Sequence, residues 1–211
     1  MNFLLNHKRE VATLTGEHLW LVGVSMLLAI AVGVPLGILL TRRPRWKAFV
    51  LGSTNIIQTI PSLALFGLLL PLPWLGARAD RLAIVALALY ALLPIVRNTY
   101  VGIAGIGAAV REAAVAMGLT DAQLLWRVEL PLAIPVMLSG IRVAAVITIG
   151  VATIAAAIGA GGLGEFIFRG IAMVDNQVIL AGAIPAALMA LAADLSLSGV
   201  EKLLTRHRIS H

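Results

Sequence analysis

The stretch Glu112-Ala113-Ala114-Val115-Ala116-Met117-Gly118, followed nine residues later by Val128-Glu129-Leu130-Pro131, is the most informative part of this chain. It is rich in small residues and lies between long apolar runs. Alanine and glutamate favour helices, so the sequence predicts a helix from Ala108 to Met117. Gly118 then stands where a left-handed C-terminal cap is needed, because glycine adopts that conformation without a steric penalty.

A second short helix is predicted to follow the glycine. Thr120 and Gln123 have the spacing of a capping box, in which each side chain bonds the backbone N–H of the other residue. Pro131 either ends this helix or lies in the first turn of the next one, where proline is tolerated. The first helix carries a face of small residues: Ala109, Ala113 and Ala116. An ordinary loop with two short helices is the alternative, and DNA binding is disfavoured because the unit is tethered to apolar segments at both ends.

The composition indicates a membrane protein. Of the 211 residues, 60% are hydrophobic and 12% are charged, whereas a soluble domain has about 45–50% apolar and about 25% charged residues. The chain has no cysteine, which excludes disulfides and thiolate metal sites. The net charge of +6 does not indicate nucleic-acid binding, because the basic residues cluster at the ends of apolar runs.

The apolar runs predict an all-α polytopic fold, since a membrane-spanning helix needs roughly 20 mostly apolar residues. Five segments qualify: Leu19–Leu40, Ala48–Leu70, Leu82–Ile95, Leu132–Ile158 and Val178–Val200. The third is short, but its helix can continue past Pro94. We expect residues 1–211 to form a single transmembrane domain with one cytoplasmic loop at about 108–131. The charged residues Arg142 and Asp194 lie within spans and are expected to pair or to snorkel.

Lysine and arginine divide unevenly between the two faces that five alternating helices create. Eleven fall on the face that receives the loop after the first helix, the region around 97–142 and the tail, and five fall on the other. The more positive face is predicted to be cytoplasmic. The N-terminus is therefore expected outside and the C-terminus in the cytoplasm.

The second predicted span is the most polar one. Asn55, Gln58, Thr59 and Ser62 recur with helical spacing and are expected to share one face. Pro61 frees a backbone carbonyl one turn earlier and is expected to kink the helix. Polar groups inside a membrane tend to line a water-filled path, so we predict that this face, with Pro61, lines a translocation path. Hydrogen bonding between packed helices is the alternative.

Enzyme signatures are weak in this sequence. The run Gly159–Gly164 matches GxGxxG, but it follows an apolar helix instead of a strand, so we interpret it as a turn at the outer face. No phosphate-binding ATPase motif is seen, so this chain is not expected to hydrolyse ATP. We expect no catalytic residue, no metal ligand and no cofactor. The four histidines lie in terminal segments: His7, His18, His207 and His211.

The decisive spacing resembles the EAA loop of ABC-importer permeases, written EAA-x3-G-x9-I-x-LP, with Val128 in place of the usual isoleucine. In that family the loop forms coupling helices that dock into a groove on the ATPase subunit. Other stretches are similar to permeases that import osmoprotectants, or quaternary amines: Gly16–Leu19 with Val34–Ile38, Ile57–Leu65, and Gly159–Gly164 with Ile167–Gly170.

The resemblance implies a permease subunit of an ATP-driven importer for compounds such as glycine betaine, choline or carnitine, working by alternating access. It implies three partners in a lipid membrane: an ABC ATPase that binds ATP, a second permease chain that is identical or a sister, and a periplasmic or lipid-anchored substrate-binding protein. It assigns ATPase coupling to these residues: Glu112, Ala113, Ala114, Gly118, Leu130 and Pro131. A permease for another solute such as an amino acid, and a membrane assembly subunit that does not transport, remain as alternatives.

Overall fold

The structure, a computed structural model, describes residues 7–206, and no strand occurs in this range. In chain order the α-helices are α1 Lys8–Arg42, α2 Lys47–Thr59, α3 Ser62–Leu69, α4 Pro73–Gly76, α5 Ala79–Ala104, α6 Ala108–Ala116, α7 Asp121–Leu124, α8 Leu130–Ala155, α9 Gly164–Met173 and α10 Asn176–Arg206. Short 3-10 turns cover Pro44–Trp46 and Ala156–Ile158, and a π-helical segment covers Leu125–Glu129. The two chain ends and Arg208, which entered the charge count, lie outside the described residues.

Four helices of the described range are long and apolar enough to cross a membrane unaided. They are α1, α5, α8 with the short helix and π segment before it, and α10. Helix α5 continues through Pro94 to Ala104, as the sequence predicted. The all-α membrane architecture is therefore confirmed.

The second predicted span, Ala48–Leu70, is not one continuous helix. The chain bends by 104° between helices α2 and α3, and Ile60 between them is extended, with φ −67° and ψ 129°. Pro61 has no N–H to continue the ladder, so the expected kink is a complete break. The carbonyl of Ile57 accepts the N–H of Ile60 at 3.3 Å instead of remaining free, and the Tyr90 hydroxyl donates to the carbonyl of Ile60.

The bent pair α2–α3 must cross the bundle, because the helices on either side of it are parallel. The Ser25 hydroxyl on α1 donates to the carbonyl of Ile84 on α5 at 3.1 Å, and further along both helices Gly37 lies against Thr99. Helix α5 therefore begins at the end of the bundle where α1 begins. The chain between them has to return across it, which gives the five crossings that the sequence predicted.

Helices α1, α5 and α8 form the core of the bundle. Helix α8 runs antiparallel to the other two. Its Gly140 lies against Pro94 and Asn98 of α5. A Cβ atom at Gly140 would lie only 2.6 Å from the Pro94 carbonyl oxygen, so glycine is needed for this close approach. Helix α10 packs on α8 and α9 at the periphery.

The glycine-rich run 159–164 forms a turn at the end of the bundle where α1 begins, as predicted. Gly159, Gly161 and Gly162 have φ angles of 77°, 83° and 84°, which side-chain-bearing residues adopt at a steric cost. The Glu17 carboxylate accepts the N–H of Gly162 at 3.0 Å. His18, which is fully buried, has its Nε2 atom 3.1 Å from the carbonyl oxygen of Ile149. The first contact attaches the turn to helix α1, and the second attaches α8 to α1.

Candidate functional site

The loop between α5 and α8 begins with α6, which ends one residue before the predicted Met117. Gly118 has a φ of 80°. Its N–H donates to the carbonyl of Val115 at 2.9 Å, and the N–H of Leu119 donates to the carbonyl of Ala114 at 3.2 Å. This pair of bonds defines a Schellman cap with glycine in the left-handed position. The structure of the predicted turn is therefore confirmed.

The capping box at Thr120 is also present. The Thr120 hydroxyl accepts the N–H of Gln123 at 3.3 Å, and the Gln123 side-chain oxygen accepts the N–H of Thr120 at 3.0 Å. From Asp121 the helix continues through the π segment into α8. Pro131 consequently lies in the first turn of α8, which is the second of the two positions that the sequence allowed.

One side of the loop is exposed and carries the small residues. Glu112 and Ala113 are exposed, whereas Ala114 is buried against the bundle. Next to them, Val115 and Met117 are 58% and 72% exposed. The Glu112 carboxylate has no hydrogen bond or ion pair to another residue of the described range. The loop therefore presents an alanine-rich, apolar surface beside the free carboxylate of Glu112.

Leu130 and Pro131 do not contribute to that exposed surface. They are half-buried and line an apolar groove of about 780 Å³ between α1 and the start of α8. Trp126, from the π segment, lines the same groove and is 70% exposed. The six residues predicted for coupling therefore separate into an exposed set, a buried Ala114 and a pair at the foot of α8.

A buried ion-pair cluster fixes the loop to the bundle, and sequence reasoning missed it. Glu129 is completely buried. Its carboxylate binds the guanidinium of Arg42, at the end of α1, through both oxygens, and lies 3.0 Å from Nε of Arg111 on α6. Arg111 also donates to the carbonyl of Ile103 near the end of α5 at 2.6 Å. Glu129, just before α8, is thus paired with α1 and α6, and Arg111 connects the cluster to the end of α5.

Two polar cavities adjoin each other on the side of the bundle where α2 packs against α5. The first, of about 440 Å³, is lined by Asn55, Lys47, Arg97 and Tyr100 among others. The second, of about 370 Å³, is lined by Gln58 and Asn98 and shares Arg97 and Leu93 with the first. Gln58 donates to the carbonyl of Tyr90 at 3.4 Å, a long bond.

The other predicted path residues lie apart from these cavities. Thr59 is exposed and its hydroxyl donates to the carbonyl of Ile56 in its own helix at 2.7 Å. Pro61 is exposed at the break, and Ser62 begins α3 beyond it. The prediction that Ser62 shares a helical face with Asn55 is wrong, because the break at Pro61 turns α3 away from α2.

Sequence reasoning did not assign the α5 residues of the cavities. From the sequence, Arg97 is interpreted only as one of the basic residues that indicate the cytoplasmic face. The signal available was the pair Arg97-Asn98 within an apolar span, three residues after Pro94. By contrast, the expected pairing of Arg142 is confirmed: its guanidinium lies 3.3 Å from Asp194 and 3.4 Å from Glu201.

The match to a protein family identifies the class. Residues 33–210 match the family described as binding-protein-dependent transport system inner membrane component. The chain therefore belongs to this family of multi-pass inner-membrane transport components. Membership agrees with the prediction of a translocation subunit whose energy source is a separate ATPase.

Relatives match over nearly their whole length. The carnitine transport permease protein OpuCB of Listeria monocytogenes is 42% identical over 205 residues, which are 97% of this chain and 93% of that protein. The osmoprotectant import permease protein OsmW of Salmonella typhimurium is 44% identical over 208 residues, 97% of this chain and 96% of that protein. The choline transport system permease protein OpuBB of Bacillus subtilis is 40% identical over 205 residues, 97% of this chain and 93% of that protein.

Solved structures support the fold. An inward-facing structure of the MetNI methionine ABC transporter matches with a TM-score of 0.84 at 23% identity, covering 94% of this chain and 98% of that chain. An amino acid ABC transporter matches with a TM-score of 0.72 at 18% identity, covering 97% and 96%. At these identities the likeness extends to the fold alone.

Proposed function

We propose that this chain is the permease subunit of an ATP-driven ABC importer for osmoprotectants of the quaternary-amine class, such as glycine betaine, carnitine or choline. The observation that carries the proposal is that relatives named for these substrates are 40–44% identical over nearly the whole of both chains. An amino-acid permease is the second candidate, because the solved transporters of this fold include amino-acid transporters. Their lower identity makes it the weaker candidate.

The exposed side of the loop at 108–131 is the proposed contact with the ATPase. Alanines there permit close approach, and exposed Val115 and Met117 supply apolar area that a partner would remove from water. Glu112 would make the polar contact, and Gly118 would set the angle between α6 and α7. Ala113 would pack in the interface and Ala114 behind it, while Leu130 and Pro131 transmit motion into α8.

We propose the orientation of the chain in the membrane from the position of the same loop. Arg42, Arg111 and Arg142 lie toward the end of the bundle where α1 and α5 end, in agreement with the more positive face. We place this end in the cytoplasm and the glycine turn outside. The N-terminus is then outside, the C-terminus is cytoplasmic, and a binding protein approaches from the side of the glycine turn.

The translocation path is proposed to run along the polar cavities beside α2 and α5, closed by a second permease chain. Exposed Asn55 and half-buried Gln58 face this side, and a five-span chain alone leaves it open. Thr59, Pro61 and Ser62 are proposed to act at the break between α2 and α3, where a bent helix pair could change angle during alternating access. Whether the second chain is identical or a sister does not alter this arrangement.

Because the chain has no cysteine, single cysteines can test the ATPase contact. Glu112→Cys should form cross-links with a purified ATPase subunit that carries cysteines along its docking groove, and the yield should change when ATP is added. Ala77→Cys, exposed near the start of α5 at the opposite end of the bundle, is the matched control and should give none. Equal yields at both positions would refute the proposed contact.

A growth experiment tests the substrate class. The chain would be expressed with its ATPase and binding protein in a bacterium that lacks its own betaine uptake, in high-salt medium. Glycine betaine at low concentration should restore growth, and an ATPase subunit unable to hydrolyse ATP should abolish the rescue. Methionine uptake without betaine rescue would favour the second candidate.

A further inference from the structure

The two polar cavities beside α2 and α5 form one surface, and this surface is positively charged. Arg97 lies at their boundary and lines both, and Lys47 lines the larger. No aspartate or glutamate lines either cavity. This part of the proposed path therefore carries two positive charges with no local counter-charge.

Arg97 is exposed, and its guanidinium has no ion pair or hydrogen bond to another residue of the range 7–206. By contrast, three other arginines of the bundle are ion-paired: Arg42 and Arg111 with Glu129, and Arg142 with Asp194 and Glu201. The guanidinium of Arg97 is thus available to an anionic group that enters the cavity.

The same surface has no aromatic site that could bind the ammonium group of a quaternary amine. Tyr100 is the one aromatic residue that lines the two cavities. The Nζ atom of Lys47 lies 4.6 Å from the centre of its ring, so the chain's own cation occupies one face of this single ring. The cavity therefore offers a fork of N–H donors suited to a carboxylate and no aromatic cage for a cation.

We propose that Arg97 is a carboxylate-binding subsite on the path, so that this permease moves zwitterionic quaternary amines in preference to choline. Glycine betaine and carnitine carry a carboxylate that Arg97 can bind, and their net charge is zero. Choline carries one positive charge and no carboxylate, so Arg97 and Lys47 repel it. The inference rests on the proposed function, and it assigns part of the substrate choice to this chain in addition to the binding protein.

The test compares uptake of labelled glycine betaine and labelled choline in vesicles that contain the complete importer. Arg97→Gln removes the charge, and Arg97→Lys keeps it but loses the fork. Arg45→Gln is the matched control, because it removes one exposed positive charge that lines neither cavity. The same binding protein serves all variants, so a change in the betaine-to-choline ratio reports on the permease.

We expect Arg97→Gln to lower betaine uptake about tenfold while choline uptake is unchanged or increased, since hydrogen bonds to charged groups contribute roughly this factor. Arg97→Lys should give an intermediate ratio, and Arg45→Gln the wild-type ratio. An unchanged ratio in Arg97→Gln, or an equal loss of both substrates in a complex that assembles normally, would overturn the inference and leave the proposed function intact. Wild-type vesicles that carry neither amine would instead overturn the proposed function.

Discussion

The buried cluster around Glu129 gives the sharpest quantitative prediction. Glu129→Gln keeps the size of the side chain and removes its charge. The Glu129 side chain is 0% exposed, whereas those of Arg42 and Arg111 are 38% and 33% exposed. Removing one partner of a buried ion pair costs about 3–5 kcal/mol. The two arginines can turn toward water in the variant, so we expect the lower end, about 3 kcal/mol of the free energy of unfolding.

The assay is unfolding of the purified chain in mixed micelles by increasing amounts of SDS, followed by helical circular dichroism. Asp194→Asn is the control, because Asp194 is 45% exposed and Arg142 keeps its contact with Glu201. Because Arg142 remains paired, this variant should lose much less stability than Glu129→Gln. If Glu129→Gln loses no more stability than Asp194→Asn, the buried cluster does not fix the loop to the bundle.

Three further substitutions test the loop, the path and the core. Gly118→Val adds about 1–2 kcal/mol of local strain at a positive φ, so we expect membrane insertion to persist while ATP hydrolysis is uncoupled from uptake. The control Gly107→Ala, at an ordinary φ in open space, should remain coupled, and normal uptake by Gly118→Val would contradict the proposed role of the Gly118 turn in coupling. Gln58→Leu should lower uptake without loss of the second permease chain, whereas unchanged uptake would favour a role in helix packing. Gly140→Ala should lower the free energy of unfolding by about 1–3 kcal/mol through overpacking. The control Gly150→Ala, in the same helix, has open space and should be neutral or slightly stabilising. Equal effects at the two glycines would refute the close contact between α5 and α8.

Features with local causes were predictable from the sequence. The cap at Gly118 and the capping box at Thr120 depend on residues within one turn of the chain, and both are present. The spans follow from the length of the apolar runs, apart from the one that contains Pro61. There the sequence shows that proline interrupts the ladder, but the 104° angle depends on contacts with Tyr90 and the rest of α5.

Features that join distant segments were not predictable in this way. Glu129 is 87 residues from Arg42, and nothing in the local pattern around either residue indicates the pair. The contact between Glu17 and the turn at Gly162 spans 145 residues. Arg97 illustrates a different difficulty, because a basic residue near the end of a span has the same pattern whether it marks topology or lines a cavity.

The most direct experiment on the proposed transport activity is ATP-dependent uptake of labelled glycine betaine into vesicles reconstituted with the permease, its ATPase and its binding protein. Unlabelled carnitine and methionine would be added as competitors in parallel. We predict uptake that requires ATP and is reduced by carnitine but not by methionine. Absence of betaine uptake, in vesicles whose ATP hydrolysis still responds to the loaded binding protein, would show that the chain is a permease for a different solute.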